Sequence, residues 1–116
     1  RPGSKPFVEF VPCDGSKVEK QKAPYQLRMR ENVPACFRCR SFGFPDARIT
    51  FRKGDTILRK TRDLHLDSHH ALAFGGVPEL TMTFWEPERR RDSGDYSCEA
   101  VNDYGVALIN FTLTVV

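Results

Sequence analysis

Two cysteines and three histidines are the side chains with the clearest potential for chemistry. Cys36 and Cys39 are separated by two residues, a spacing that occurs in zinc sites and in redox centres. His65, His69 and His70 follow later in the chain and could supply nitrogen ligands. Types and spacing alone would therefore allow a metal site or a thiol–disulfide centre.

The element that carries the two cysteines argues against both kinds of site. Residues 35–40 alternate between small or apolar and polar side chains, which is typical of a strand with one buried face. Residues three apart on a strand project to opposite faces, whereas metal ligands must converge and a redox pair normally begins a helix. We therefore predict no metal site, and we predict that the three histidines lie in loops.

No other motif predicts catalysis or a cofactor. The sequence has no nucleophile elbow, and Gly75-Gly76 lacks the Lys-Ser/Thr that a phosphate-binding loop requires. Glu86 and Glu88 are predicted to be solvated charges, and Asp92 is predicted to bond to backbone amides at a corner. The sequence predicts a protein that is not an enzyme.

The chain length and the net charge further limit the classes of protein to which the chain could belong. The 116 residues suffice for one domain, and 18 basic against 15 acidic residues give a formal charge of +3. The basic residues are scattered except at Arg89–Arg91, so we predict a solvated surface and no nucleic-acid partner. No apolar run approaches the roughly 20 residues of a membrane span, so no membrane insertion is expected. The abrupt ends indicate a module of a larger protein.

Alternation between turn signals predicts seven or eight strands, and the sequence shows no helical periodicity. Residues 7–11 are predicted to form an edge strand because prolines lie beside them, and a polar connection follows. Residues 68–78 are predicted to form a loop or an extended hairpin with apolar exposure. Further strands are predicted over residues 25–30, 35–40, 47–55, 80–85, 96–101 and 105–116, with one or two short strands between 56 and 67.

The most specific motif lies between residues 92 and 105. It contains D-x-G-x-Y-x-C at 92–98, followed by A-x-N-x-x-G at 100–105. This pattern resembles strand F and the following turn of an intermediate-set (I-set) immunoglobulin domain. The resemblance covers about residues 24–116, with residues 1–23 forming the edge strand and polar connection. It implies an all-β, two-sheet sandwich with Greek-key connections.

The resemblance also assigns structural roles to individual residues. It implies a disulfide between Cys39 and Cys98, which would remain a pair of thiols in a reducing compartment. It implies a tyrosine corner in which the Tyr96 hydroxyl bonds to backbone at the turn that contains Asp92. Phe51 stands where the family usually has tryptophan, which keeps a large aromatic ring beside the bridge.

Two further features depend on the compartment. If Cys39 and Cys98 pair, Cys13 and Cys36 either form a second disulfide or remain free thiols. Asn110 begins the sequence Asn-Phe-Thr, an N-glycosylation signal, and alternation turns its side chain outward. Glycosylation at this position requires that the chain be secreted.

Two hypotheses of function follow from the resemblance. The first is a structural spacer and protein-docking module of a large cytoplasmic muscle or cytoskeletal protein, similar to domains of titin, twitchin, myosin-binding protein C and obscurin. The second is an extracellular adhesion or receptor domain, which the even number of cysteines and Asn110 favour. In both, the partners are proteins or neighbouring domains. The candidate contact residues are Phe74, Arg89, Arg90 and Arg91.

Overall fold

A computed structural model describes residues 1–14 and 24–116. Within them, a single-turn helix α1 spans Arg89–Asp92 and a 3-10 helix spans Leu72–Phe74. The same residues contain nine strands: β1 Ser4–Pro12, β2 Tyr25–Met29, β3 Ala35–Phe44, β4 Arg48–Lys53, β5 Thr56–Ile57, β6 Leu64–Ala71, β7 Val77–Phe84, β8 Gly94–Asn102 and β9 Gly105–Val115.

The strands form two facing sheets. One has the order β1-β3-β7-β6 and the other the order β2-β9-β8-β4-β5. All neighbouring pairs are antiparallel except β2 and β9, which run parallel. The predicted all-β, two-sheet sandwich is thereby confirmed.

Phe111 lies at the centre of the core between the sheets. Its ring centroid is 4.4 Å from that of Phe10, 5.6 Å from that of Tyr96 and 6.1 Å from that of Phe51. Phe10 belongs to the four-stranded sheet and the other rings to the five-stranded sheet, so these contacts link both layers. Phe51 is almost fully buried. Such ring pairs stabilise the folded state by more than the burial of their apolar surface alone.

Two disulfides fasten the sandwich. Cys39 on β3 and Cys98 on β8 are bonded across the core, with their Cα atoms 6.6 Å apart. Cys13 and Cys36 are also bonded, with a Cα separation of 5.3 Å, and the Cys13 amide donates to the Cys36 carbonyl at 3.0 Å. Both Cα separations lie in the range that disulfides adopt. The second bond attaches the end of β1 to the start of β3.

The corner before β8 is held by Tyr96 and Asp92. The Tyr96 hydroxyl donates to the Asp92 carbonyl at 2.6 Å, and the Glu88 amide donates to the Asp92 carboxylate at 2.9 Å. Burial raises the pKa of the Tyr96 phenol well above its ordinary value, and the Asp92 charge raises it further.

Two segments are more regular than the sequence suggested. β3 was predicted to end before Gly43, but it continues to Phe44 because β1 pairs with it along its length. Gly43 has φ of +133°, and a Cβ there would lie 2.8 Å from the Lys5 carbonyl oxygen, so glycine is required. Of the two alternatives for residues 68–78, the extended hairpin is present, because β6 and β7 pair as far as Ala71 and Val77.

The raised pKa of Tyr96 predicts a loss of stability in alkali. An unfolded tyrosine ionises near pH 10, whereas the folded Tyr96 ionises at higher pH, so the folded state binds more protons above about pH 10. The free energy of unfolding should therefore fall as pH rises through this range. Tyr96→Phe should cost about 1 kcal/mol at neutral pH and should make the alkaline fall shallower. Urea unfolding at a series of pH values measures both effects, and parallel curves for the two proteins would contradict the assignment.

Candidate binding surfaces

A row of three charged side chains and one histidine crosses the outer face of the four-stranded sheet. Glu9, Arg40, Glu79 and His69 are register partners on β1, β3, β7 and β6. Arg40 Nη1 donates to Glu9 at 2.6 Å and Arg40 Nε donates to Glu79 at 2.8 Å. His69 Nε2 lies 2.7 Å from the second Glu79 oxygen. We call these four residues the charge ladder.

The middle of the charge ladder is buried although it lies on an outer face. Arg40 and Glu79 are each only 4% exposed. The cover includes Phe74, whose ring centroid lies 3.7 Å from the Arg40 guanidinium carbon, a cation–π contact. Phe74, a candidate contact residue, therefore has one ring face occupied within the domain. At the same hairpin tip Leu72 is 86% exposed and presents more apolar surface to a partner.

The three corner arginines have different roles. Arg91 Nη2 donates to the Asp92 carboxylate at 3.0 Å and to the Glu86 carbonyl at 2.7 Å, and the hydrogen bond to Asp92 raises the pKa of Arg91. Arg89 Nε donates to the Val115 carbonyl at 3.3 Å. Arg90 is exposed and has no bonding partner among the described residues. Arg91 thus holds the corner together, and Arg90 is the arginine available to a partner.

One half of β9 has an open edge within the described part of the chain. β2 pairs only with Phe111–Val115, and no described strand pairs with residues 105–110 on that side. The loop between β8 and β9 has two residues, so Asn102 and Gly105 exchange hydrogen bonds and even-numbered residues of β9 point their backbone groups away from β8. The bond from the Val116 amide to the Met29 carbonyl on β2 agrees with this alternation. The open edge therefore presents the amide and carbonyl groups of Val106 and Leu108 and the amide of Asn110, whose carbonyl faces the first residue of β2.

An apolar groove lies beside this edge. β1 is the edge strand of the other sheet, and between β1 and β9 is a cavity of about 450 Å³. Apolar side chains form most of its lining, namely Phe7, Val8, Phe10, Val11, Tyr25 and Ile109, together with Glu9. On the outer face of β9, Val106 is 60% exposed and Leu108 is 53% exposed. The backbone edge, the apolar groove and the exposed side chains of Val106 and Leu108 therefore adjoin one another.

The glycosylation signal lies on the same strand. Asn110 is exposed on β9 and faces Ser97 of β8 in register. Thr112, the third residue of the signal, donates its hydroxyl to the Asp95 carboxylate at 2.9 Å. The Asn110 side chain is thus accessible on the outer face of the five-stranded sheet.

The predicted loop location of the histidines is wrong. His65, His69 and His70 all lie on β6, because its pairing with β7 extends over the whole of Leu64–Ala71. His69 belongs to the charge ladder, and the ring centroid of His65 lies 6.1 Å from that of Trp85. Residues 1–14 and 24–116 contain no cluster of three potential metal ligands. In the same part of the chain, no helix is long and apolar enough to cross a membrane.

A family model described as the immunoglobulin I-set domain matches residues 18–115 of the chain. The chain belongs to the immunoglobulin I-set family. Members of this family are generally non-catalytic. The I-set domain is also 25% identical over 92 residues to smooth muscle myosin light chain kinase of Gallus gallus. That match covers 79% of this chain but only 4% of the kinase.

Solved structures share the fold. The complex of titin M10 with an obscurin-like 1 Ig domain matches with a TM-score of 0.72 and 22% identity, covering 98% of this chain and 96% of that one. Titin M4 matches with a TM-score of 0.72 and 17% identity, over 100% of both chains. The complex of Dpr2 Ig1-Ig2 with DIP-Theta Ig1-Ig3 matches with a TM-score of 0.74 and 18% identity, over 98% of this chain and 33% of that one. Domains with this fold therefore occur in complexes with protein partners.

Sequence analysis missed both the charge ladder and the open half of β9. The signal for the ladder was weak: Glu9, Arg40 and Glu79 each stand at an outward position of a strand, where charged residues are expected. Only the register between strands shows that these residues meet. The open edge depends on where β2 begins relative to β9, which the sequence of either strand does not specify.

The buried part of the ladder predicts a large effect of one substitution. Arg40→Met would leave Glu79 buried without its main partner, so we expect the free energy of unfolding to fall by about 3–5 kcal/mol. Glu9→Gln should cost at most about 1 kcal/mol, because the Glu9 side chain is 42% exposed. The double variant Arg40→Met/Glu79→Leu should recover part of the loss. Urea unfolding measures these differences, and equal costs for Arg40→Met and Glu9→Gln would contradict the buried pair.

Proposed function

We propose that this I-set domain is a non-catalytic docking module that binds an extended segment of a protein partner along the open half of β9. The observation that carries the proposal is the backbone edge at Val106, Leu108 and the Asn110 amide, with which no strand of residues 1–14 and 24–116 pairs. An extended peptide gains main-chain hydrogen bonds when it adds to such an edge, and alternate side chains then supply specificity.

The composition of the open edge supports binding. Proteins usually protect a free edge with lysine, proline or a bulge. Residues 105–110 read Gly-Val-Ala-Leu-Ile-Asn and include no charged residue and no proline. Lys5 lies near Gly105, the first residue of the segment. Within residues 1–14 and 24–116, no strand pairs with this edge over residues 106–109, so its backbone groups can accept an added strand.

The two faces of an added strand would meet different surroundings. Side chains on one face would enter the groove lined by Phe10, Tyr25 and Ile109. Side chains on the other face would lie beside Val106 and Leu108 on the outer surface of the sheet. We infer a partner segment with apolar side chains at alternate positions, because both surroundings are apolar.

The similarity to smooth muscle myosin light chain kinase and titin domains supports a muscle or cytoskeletal parent, in which the domain would also act as a spacer. The second candidate is an extracellular adhesion or receptor domain. The two disulfides favour it, since the Cys13–Cys36 bond would be exposed to reductants in the cytosol. The accessible Asn110 favours it as well.

A proline on the open edge tests strand addition. Leu108→Pro removes an amide that points away from β8, so the β8–β9 hydrogen bonds are retained and the domain should stay folded. Leu108→Ala is the matched control, since it shortens the side chain and keeps the amide. In pull-downs from muscle and membrane extracts, we expect Leu108→Pro to lose a partner that wild type and Leu108→Ala both capture. Equal capture by wild type and Leu108→Pro would contradict docking at this edge.

The mass of the protein from its native source distinguishes the two parents. Intact mass is measured before and after thiol alkylation under denaturing conditions without reductant. No alkylated thiol together with a hexose-containing increment at Asn110 would select the extracellular candidate. Four alkylated cysteines and no glycan would select the muscle candidate. Disulfides without a glycan would still indicate an oxidising compartment.

A further inference from the structure

A second opening lies at the other edge of the five-stranded sheet. β5 contains only two residues, so it leaves the gap to β6 in the facing sheet uncovered. A cavity of about 560 Å³ fills this gap, between β5, the loop over residues 58–63 and α1. We call it the β5 cavity. It is far from the open half of β9, because β5 and β2 form opposite edges of the same sheet.

The floor of the β5 cavity is apolar. Leu58, Leu64, Phe84 and the Tyr96 ring line it, and the last three belong to the buried core. Ile57 is 41% exposed at the mouth. An apolar side chain that entered here would contact the core directly and would bury Ile57 as well, so the cavity can hold one apolar anchor.

The rim of the cavity is basic. Arg59 lines the cavity, Lys60 and Arg62 lie on the same loop, and Arg90 lies on α1; none of the four has a bonding partner among the described residues. Lys53 is different, since its ammonium donates to the Arg91 carbonyl at 2.5 Å.

The carboxylates near the rim are mostly already paired. Asp63, Glu88 and Asp92 all form ion pairs with Arg91. Asp55 in the turn before β5 and Glu86 before α1 are the neighbouring carboxylates without a side-chain partner in the described part of the chain. Free cations therefore outnumber free carboxylates around the opening, and the rim attracts anionic groups.

We propose that the β5 cavity binds an acidic peptide segment of a protein partner, with one aliphatic or aromatic side chain in the cavity and flanking carboxylates on the rim. The apolar floor supplies affinity for the anchor, and the unpaired arginines supply complementarity to the acidic flanks. This site does not depend on strand addition at β9, so Leu108→Pro should leave it intact.

The test uses a fluorescein-labelled peptide with one central leucine between short runs of glutamate, titrated with the whole domain in an anisotropy assay. The rim variant is Arg59→Glu/Arg62→Glu. The matched control is Arg28→Glu/Arg48→Glu, which reverses two exposed arginines at other surfaces. We expect the rim variant to bind at least about tenfold more weakly and the control to bind as wild type does. Replacement of the peptide leucine by serine should weaken binding by a similar factor. Thermal melting checks that both variants stay folded.

Several outcomes would overturn the proposal. Absence of binding by the wild-type domain would do so, as would equal loss with the two double variants, which would indicate general charge attraction. Equal binding of the leucine and serine peptides would show that no anchor enters the cavity. A single-stranded oligonucleotide that competes as well as the peptide would indicate a site for polyanions in general. If the β5 cavity does not bind the acidic peptide, the proposal of docking at β9 is unaffected, because Leu108→Pro tests that edge separately.

Discussion

The structure depends on the contact between its two sheets, at Phe111 and at the disulfide from Cys39 to Cys98. Phe111 packs on Phe10 of the facing sheet, and the disulfide joins β3 to β8 a short distance away. Each sheet has one apolar face, formed by alternate residues of its strands. The two faces are buried only because they pack against each other. A bridge of this kind typically contributes about 2–4 kcal/mol, a large part of the stability of one small domain.

The same constraint explains where binding surfaces can lie. The residues of the most specific sequence motif, Tyr96, Asp92 and Cys98, are all bonded within the core and corner. They have no free group to offer a partner. Among the described residues the sandwich is open at its edges, where β2 begins only opposite Phe111 of β9 and where β5 is too short to reach β6. Both proposed sites therefore arise from short edge strands. The short β2 leaves part of the β9 backbone unpaired, and the short β5 leaves a gap between the two sheets.

Which residues face the core of the two sheets could be predicted from the sequence better than where the edge strands begin and end. Alternation placed Phe111 and Cys39 inside and Asn110 outside, because burial on one face of a strand has a period of two residues. It did not place His69 on β6, since strand length there comes from pairing with β7. Alternation could not predict that Arg40 lies beside Glu79, because the register between strands distant in sequence cannot be derived from either strand alone. The edge sites depend on the same long-range pairing.

Within the described part of the chain, half of β9 offers unpaired backbone groups while the rest is closed, and amide hydrogen exchange tests this difference residue by residue in the free domain. The account predicts fast exchange at Val106, Leu108 and Asn110, slow exchange at Ala107 and Ile109, which bond to β8, and slow exchange also at the β2-paired residues Thr112 and Thr114. Slow exchange at Val106, Leu108 and Asn110 would show that this edge is already paired and would contradict the proposed docking site.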